Sequence, residues 1–94
     1  MAQSGERPDA LSLCLVCGMD YGAYRPWGDE GTISTFDICD CCGVEFGYQD
    51  SGVDAIRRFR EGWIERGAPW RDPKRRPDNW SLTEQLANLP ARVR

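Results

Sequence analysis

The pattern of apolar and polar residues changes near residue 50 of this 94-residue chain. Before that point the apolar runs are short and lead into cysteine motifs, as in LSLCLV at 11–16 and TISTFDI at 32–38. Runs of this kind, rich in β-branched and aromatic residues and bounded by Gly- and Pro-containing loops, predict β-strands. We therefore expect 11–24 to form a strand, a turn at the cysteines and a second strand, and 32–38 to form a further strand.

After residue 50 the apolar spacing becomes helical. The apolar residues of one face are Val53, Ile56, Phe59, Trp63 and Ile64, while the charged residues, Arg60 among them, fall mostly on the other face. This pattern predicts an amphipathic helix that begins at Val53. Asp50 or Ser51 is the expected N-cap, and Gly67 stands where a glycine commonly follows a helix.

The last third of the chain is divided by prolines. The segment APWRDPKRRPDNW at 68–80 contains three prolines and no periodic pattern, which predicts an extended arm. Ser81 followed by Glu84 is a capping-box pattern and predicts a short helix at 82–89. Pro90 ends that helix, and we assign the residues beyond it to a tail.

The pattern C-x-x-C-G-x-[DE]-[YF]-G occurs twice, as CLVCGMDYG at 14–22 and CDCCGVEFG at 39–47. The repeat sets Cys14, Cys17, Cys39 and Cys42 apart as two matched pairs. The fifth cysteine, Cys41, has no counterpart, because valine stands at the matching place. We expect its thiol to be a buried small hydrophobe, and the alternatives are a spare ligand or an oxidation-sensitive sulfur. The glycine after each pair tolerates the positive φ that a sharp turn at the sulfurs demands.

Two C-x-x-C pairs separated by 21 residues have the spacing of a closed four-cysteine zinc ribbon. We expect one Zn²⁺ per chain, bound by Cys14, Cys17, Cys39 and Cys42. A tetrahedral site of four sulfurs also suits iron, which is the alternative metal. Domains below about 70–80 residues commonly need such a metal, because their hydrophobic cores are small.

Composition argues against catalysis and against secretion. The chain has no histidine, and four cysteines on one ion leave no position open for a catalytic water. We therefore expect no enzymatic activity. There is no secretory signal pattern, no apolar run of about 20 residues that would cross a membrane, and an odd number of cysteines. These features favour a cytoplasmic protein with reduced thiols.

Together the patterns predict a small, metal-stapled α+β domain. The expected order is a disordered tail at 1–10, a zinc-ribbon-like or rubredoxin-like double knuckle with a β-sheet at 11–49, and a helical, Trp-rich segment at 50–90. That last segment consists of the amphipathic helix, the extended Trp- and Pro-rich arm and the short C-terminal helix. We expect it to pack on the ribbon, so that all parts form one domain.

Charge is distributed unevenly along the chain. Residues 1–54 carry ten carboxylates and two arginines, whereas residues 55–94 carry ten basic and five acidic side chains. An acidic lobe attracts basic proteins, and its exposed carboxylates, with Asp29, Glu30 and Asp50 as the loop candidates, are expected partner contacts. The alternative is nucleic-acid binding by the arm at 70–80, whose basic and aromatic residues are Trp70, Arg71, Lys74, Arg75, Arg76 and Trp80. The tryptophans are also expected to seal the helix and the arm onto the sheet.

Several segments together resemble a known protein family. CLVCGMDYG, FDICDCCGVEFGYQD, FREGWIERGAPW and PDNWSLTEQLANL occur here in the order found in short bacterial cysteine-rich proteins of the Cys-Pro-Cys-Cys type. This chain has Cys-Asp-Cys-Cys in the second knuckle and Leu15 where the family usually has proline. The resemblance implies a zinc-ribbon-like fold. It also implies an immunity or partner-binding role toward a basic toxin, because some members look like neighbours of secreted toxin genes.

The knuckles alone are also similar to those of rubredoxins, which use a four-cysteine iron site for electron transfer. Rubredoxins usually have proline after the third ligand, where this chain has Asp40, and they lack the helical C-terminal extension. A noncatalytic zinc-binding, protein-interaction module is therefore the expected function. Nucleic-acid binding and rubredoxin-like electron transfer are the alternatives.

Overall fold

The computed structural model describes residues 9–94, so most of the tail expected at 1–10 lies outside the described residues. Its regular elements, in chain order, are a 3₁₀ helix Ala10–Ser12, helix α1 Val53–Glu65, a 3₁₀ helix Pro73–Arg75, helix α2 Leu82–Leu86 and a 3₁₀ helix Ala91–Val93. Ala10 begins the first of these, and Asp9 is its N-cap residue. The Asp9 side chain accepts a hydrogen bond from the Leu11 N–H and caps the turn.

The two cysteine motifs fold into knuckles that repeat one another bond for bond. In each knuckle the N–H of the first cysteine donates to the carbonyl five residues later, and the N–H of the glycine donates back to the carbonyl of that cysteine. These bonds join Cys14 to Met19 (3.0 Å), Gly18 to Cys14 (2.7 Å), Cys39 to Val44 (2.8 Å) and Gly43 to Cys39 (3.0 Å). Gly18 and Gly43 have φ of 85° and 84°, which confirms the expected left-handed glycines.

The predicted sheet is reduced to one antiparallel bridge per knuckle. The bridges pair Leu13 with Asp20 and Ile38 with Glu45. The predicted strand at 32–38 is wrong apart from Ile38. Upstream, the N–H groups of Ile33 and Thr35 donate to the carbonyls of Trp27 and Pro26, so this segment folds back as a loop. Phe36 then turns into the left-handed region at φ 62°, which breaks the extended conformation.

Helix α1 begins at Val53 and is followed by Gly67, as the pattern predicts, but its N-cap differs. The N-cap residue is Gly52, which makes no side-chain capping bond. Asp50 is directed into the fold instead, away from the helix end. At the other end, the N–H groups of Gly67 and Ala68 donate to the carbonyls of Ile64 and Trp63, which is the Schellman arrangement.

The buried stripe of α1 contains a charged residue. Ile56 and Trp63 are buried as predicted, but Ile64 is exposed, and the third buried residue of the helix is Arg60. Arg60 was assigned to the polar face. It lies four residues after Ile56 and three before Trp63, which places it on the inner face by helical spacing.

The chain beyond α1 packs against the helix and the knuckles. α2 ends at Leu86 and is shorter than the predicted 82–89, and the arm contains the 3₁₀ helix Pro73–Arg75. The Ser81 hydroxyl accepts a hydrogen bond from the Glu84 N–H, as the capping pattern predicts. The assignment of the last residues to a tail is wrong, because Val93 is fully buried and its turn packs against α1.

Two tryptophans, Trp63 and Trp70, belong to a core cluster that also contains all the cysteines. The Trp63 indole N–H donates to the carbonyl of Pro69 at 2.8 Å and so holds the start of the arm against α1. The Trp70 and Trp80 rings meet edge to face, 5.6 Å apart. The tryptophans therefore join the arm to the core, as one of the two sequence interpretations expected.

Candidate metal centre

Each knuckle directs its two C-x-x-C sulfurs at those of the other knuckle. The Sγ atoms of Cys14, Cys17, Cys39 and Cys42 all lie within 4.8 Å of one another. Across the two knuckles, Sγ of Cys14 is 3.7 Å from that of Cys42, and Sγ of Cys17 is 3.8 Å from that of Cys39. Four sulfurs placed tetrahedrally at about 2.3 Å from a central ion would be about 3.8 Å apart. The spacing therefore fits a tetrahedral metal ion, and all five cysteines are free of disulfides.

Burial makes this cluster a poor place for uncompensated charge. Burial raises the pKa of the Cys14, Cys17 and Cys42 thiols. Hydrogen bonds from those three thiols, and then one from Tyr21, lower the pKa of Cys39. A divalent cation compensates thiolate charge that the buried surroundings cannot. The four cysteines could thus bind a metal ion.

Tyr21 provides a polar contact to one candidate ligand. Its hydroxyl donates to Sγ of Cys39 at 3.2 Å and accepts from the N–H of Asp40 at 3.2 Å. Burial, followed by the nearby Cys39 charge, raises the pKa of Tyr21 above its usual range, so the hydroxyl stays protonated and able to donate. The repeat counterpart of Tyr21 is Phe46, which packs against it edge to face with ring centroids 6.1 Å apart.

The fifth cysteine is buried but is not part of the four-sulfur cluster. Cys41 is fully buried, like Val16 at the matching place of the first knuckle. Its Sγ accepts a hydrogen bond from Nε2 of Gln85 at 3.3 Å. The expectation that Cys41 is a buried thiol is therefore confirmed.

The C-terminal segment is hydrogen-bonded to the backbone of both knuckles. Gln85 and Asn88 donate from their side-chain amides to the carbonyls of Cys17 and Gly18, both at 3.0 Å. The N–H groups of Arg71 and Asp72 donate to the carbonyls of Cys41 and Asp40, at 3.0 and 2.9 Å. The elements that follow the knuckles therefore hold both of them in place.

A further contact comes from α1, and the sequence analysis missed it. Arg60 is only 8% exposed. Its Nε donates to the carbonyl of Val16 at 2.6 Å, and its Nη2 donates to the carbonyls of Leu15 and Val93 at 2.9 and 2.7 Å. The sequence signal was the spacing of residue 60 between Ile56 and Trp63, which outweighs the usual preference of arginine for solvent.

The acidic partner candidates occupy different environments. The Asp29 side chain is 97% exposed, with Nε of Arg25 at 3.8 Å, and Glu30 is exposed beside it. Asp50 is only 4% exposed. Its carboxylate accepts from Nε1 of Trp27 at 2.9 Å and from the N–H of Gly47 at 2.7 Å. The expectation that Asp50 is an exposed contact is therefore wrong, because those two donors hold the carboxylate inside.

The candidate residues of the arm divide into exposed cations and packed indoles. Arg71, Lys74, Arg75 and Arg76 are exposed, whereas Trp70 is buried and Trp80 is half-buried. Nη1 of Arg75 lies 2.8 Å from the Asp40 carboxylate, and Nη1 of Arg71 lies 3.8 Å from it. The guanidinium of Arg76 stands 5.3 Å above the Trp80 ring. The arm thus carries four exposed cations, but of its two indoles only that of Trp80 is more than slightly exposed.

A set of apolar side chains is left exposed around the two knuckles. We call it the loop surface, and it consists of Ile33, Phe36, Ile38 and Tyr48. Phe36 is 62% exposed and lines an open groove with Tyr24 and Ile38. This surface is not evident from the sequence, in which 32–38 has the composition of a strand.

No helix in the described part of the chain, residues 9–94, is both long enough and apolar enough to span a membrane.

Comparison with known proteins identifies relatives in Bacillus subtilis (strain 168). The chain is 34% identical to the protein YozI over 72% of this chain and 69% of YozI. It is 33% identical to YoaQ over 69% of this chain and 67% of YoaQ. Both relatives are described as uncharacterized proteins. No family model matches the chain, and no solved structure does. The chain therefore belongs to the bacterial protein family that includes YozI and YoaQ.

Proposed function

We propose that this protein is a noncatalytic zinc-binding module whose metal holds a small domain together and whose loop surface binds another protein. The metal part of the proposal is supported by the sulfur–sulfur distances of 3.7 and 3.8 Å, which are the edge lengths of a tetrahedral thiolate site. Zinc bound there would have protein sulfurs in all of its tetrahedral positions. A catalytic zinc needs one position for water or substrate, so the proposed role of the metal is structural.

Metal analysis of protein purified without added metal tests the first part. We expect one zinc per chain and a colourless protein, since Zn²⁺ has no redox chemistry and a filled d shell. The spacing of the sulfurs suits iron equally well, and a rubredoxin-like electron carrier is the alternative function. A red protein that contains iron and bleaches on reduction would replace the zinc proposal with that alternative.

The binding part of the proposal rests on the exposed loop surface. Ile33, Phe36 and Tyr48 are large apolar residues that are mostly exposed to solvent. Phe36 and Ile38 line one open groove together with Asp37, and exposed apolar patches rimmed by polar residues mark protein-interaction sites. The neighbouring carboxylates of Asp29, Glu30 and Asp37 are exposed too, so the partner that fits best carries basic residues around an apolar centre. A basic toxin, neutralised in the cytoplasm, is the specific form of partner that we propose.

The backbone conformation of Phe36 also supports a binding role for this surface. A bulky residue with φ near 62° is strained, and strained residues occur preferentially at functional sites. Burial does not explain this conformation, because the Phe36 ring is mostly exposed.

The experiment compares Phe36→Asn with Ile64→Asn. Asparagine tolerates the left-handed conformation, so the first variant removes the ring without adding strain. Ile64 is an exposed apolar residue on α1 and serves as the matched control. The wild-type protein is used to capture a partner from a lysate of its source organism, and that partner is then purified and its binding measured. We expect Phe36→Asn to weaken binding at least tenfold, Ile64→Asn to leave it unchanged, and salt to slow association. Equal binding by all three proteins would contradict the proposed surface.

Nucleic-acid binding by the arm is the second candidate, because four exposed cations lie at 71–76 beside the half-buried Trp80. The burial of Trp70 leaves less aromatic surface for stacked bases than the sequence suggested. Fluorescence anisotropy with a single-stranded oligonucleotide tests this candidate. Binding that weakens steeply with salt and is lost when Arg71, Lys74, Arg75 and Arg76 are changed to alanine would make the arm the functional surface.

A further inference from the structure

Arg60 is a buried cation whose hydrogen bonds all go to backbone carbonyls. The acceptors belong to Leu15 and Val16, between the first two candidate ligands, and to Val93 in the C-terminal turn. Among residues 9–94 the ion pairs involve Arg25, Arg71 and Arg75, and none involves Arg60. A buried charge ordinarily requires an opposite charge, because removing it from water is costly.

Arg60 lies against the backbone segment that joins two of the candidate ligands, Cys14 and Cys17. Burial lowers the pKa of Arg60, and the charges of Cys14, Cys17 and Cys42 act in the opposite direction, with the nearby Arg57 adding to the lowering. The hydrogen bond from Nε to the carbonyl of Val16 places the guanidinium on the backbone of the knuckle that bears Cys14 and Cys17. Arginine remains charged under such conditions and is less strongly hydrated than lysine, which suits it to this position.

We propose that Arg60 is the buried counter-charge of the metal–thiolate centre. This inference rests on the proposed metal site. Four thiolates on a divalent ion carry a net charge of about −2 in a buried site, and the guanidinium offsets half of it. Arg60 also holds the Leu15–Val16 turn and the C-terminal turn in one position, so metal binding and docking of the C-terminus favour each other.

The charge of Arg60 also affects which metal ion the site favours. A trivalent ion with four thiolates carries about −1, and a divalent ion about −2. A fixed positive charge beside the site stabilises the more negative complex. Arg60 therefore favours a divalent ion over a trivalent one, and in protein loaded with iron it favours the ferrous state.

Replacing Arg60 with citrulline separates the charge from the hydrogen bonds. Citrulline is neutral and has nearly the shape of arginine, and it keeps an Nε–H and one terminal NH₂, the two groups that Arg60 uses. Native chemical ligation at one of the cysteines gives full-length Arg60→citrulline. The matched control is Arg57→citrulline, which removes the same charge from an exposed position one turn earlier on α1.

Zinc affinity is measured by competition with a chromophoric chelator. We expect Arg60→citrulline to bind zinc about 10-fold to 100-fold more weakly than wild type, the range typical of groups that support metal ligands. Arg57→citrulline should remain within about twofold, since exposed charges are screened. Arg60→Lys, which keeps the charge but loses the planar fork, should lie closer to wild type than Arg60→citrulline does.

The reduction potential of iron-loaded protein is a second measurement. A purely structural role of Arg60 predicts no particular direction for a change in this potential. We expect a lower potential for Arg60→citrulline and an unchanged one for Arg57→citrulline.

Wild-type zinc affinity and an unchanged potential in Arg60→citrulline would overturn the inference and leave the metal site intact. Failure of the wild-type protein to bind any metal would instead overturn the proposed function. Zinc affinity that falls in Arg60→Lys but stays at the wild-type level in Arg60→citrulline would show that the hydrogen bonds matter and the charge does not.

Discussion

The hydroxyl of Tyr21 donates a hydrogen bond to the sulfur of Cys39, and the matching residue of the second knuckle, Phe46, has no hydroxyl to donate. The repeat is therefore symmetric in its backbone but not around its sulfurs. Cys39 is also the cysteine whose pKa is lowered, by its three neighbouring thiols first and by Tyr21 as well. Tyr21 thus supports a candidate ligand through a hydrogen bond to its sulfur.

Tyr21→Phe tests the contribution of that hydrogen bond. The change copies the residue that the second knuckle already has, so the fold should tolerate it. We expect zinc to bind about tenfold more weakly and to be lost faster to a chelator, because groups that orient ligands contribute to metal affinity. Tyr24→Phe is the control, since Tyr24 is an exposed neighbour whose hydroxyl is hydrogen-bonded to Thr35 and Asp37 and not to a sulfur. Both variants keep their aromatic rings, so an equal effect of the two changes would show that the bond to sulfur makes no specific contribution to metal affinity.

Serine substitution of each cysteine identifies the ligands. Changing Cys14, Cys17, Cys39 or Cys42 should abolish stoichiometric metal binding and unfold the domain, because metal binding supplies on the order of 10 kcal/mol in small zinc modules. Cys41→Ser should keep one metal per chain and most of the thermal stability, since Cys41 lies outside the four-sulfur cluster. Metal analysis and thermal melts are the measurements. Metal loss in Cys41→Ser would mean that the ligand set is assigned incorrectly.

Alanine substitutions at two left-handed glycines distinguish the effect of backbone strain on stability from the effect of the contact with α2. Gly22 and Gly18 have φ of 68° and 85°, so alanine is strained at both, by about 1–2 kcal/mol. A Cβ atom at Gly22 meets nothing within 4 Å, whereas one at Gly18 would lie 2.3 Å from the carbonyl oxygen of Gln85. We therefore expect Gly18→Ala to destabilise the protein at least twice as much as Gly22→Ala in urea unfolding. Equal losses would show that α2 does not press on the first knuckle.

Asp50→Asn should lower stability without lowering metal content. The buried carboxylate accepts from Trp27 and Gly47, and an amide cannot present acceptor oxygens to both donors. The expected loss is about 1–3 kcal/mol, and each kcal/mol lowers Tm by about 4–8 °C in a domain of this size. The control is Asp29→Asn, because the Asp29 side chain is 97% exposed and its loss should be within about 0.5 kcal/mol. A normal Tm for Asp50→Asn would contradict the structural role of this carboxylate.

Features that depend on neighbours in the chain were predictable from the sequence. The spacing of the cysteine repeat indicated the four clustered sulfurs, and the glycines after each pair indicated the left-handed turns. The helical period located the start of α1, and the pair Ser81 and Glu84 located the start of α2. These features follow from hydrogen bonds and φ restrictions that span only a few residues, so the local sequence contains the information.

Only the tertiary structure determined what lies against the knuckles. The run at 32–38 has strand composition, but a strand requires a partner, and here the Ile33 and Thr35 amides bond to the preceding loop. Asp50 and Arg60 look like surface charges in the sequence. They are buried because distant segments supply their partners: Trp27 for Asp50, and the Leu15, Val16 and Val93 carbonyls for Arg60. The physical reason is that the free energy of a buried polar group depends on groups brought near it by folding, which the local sequence does not specify.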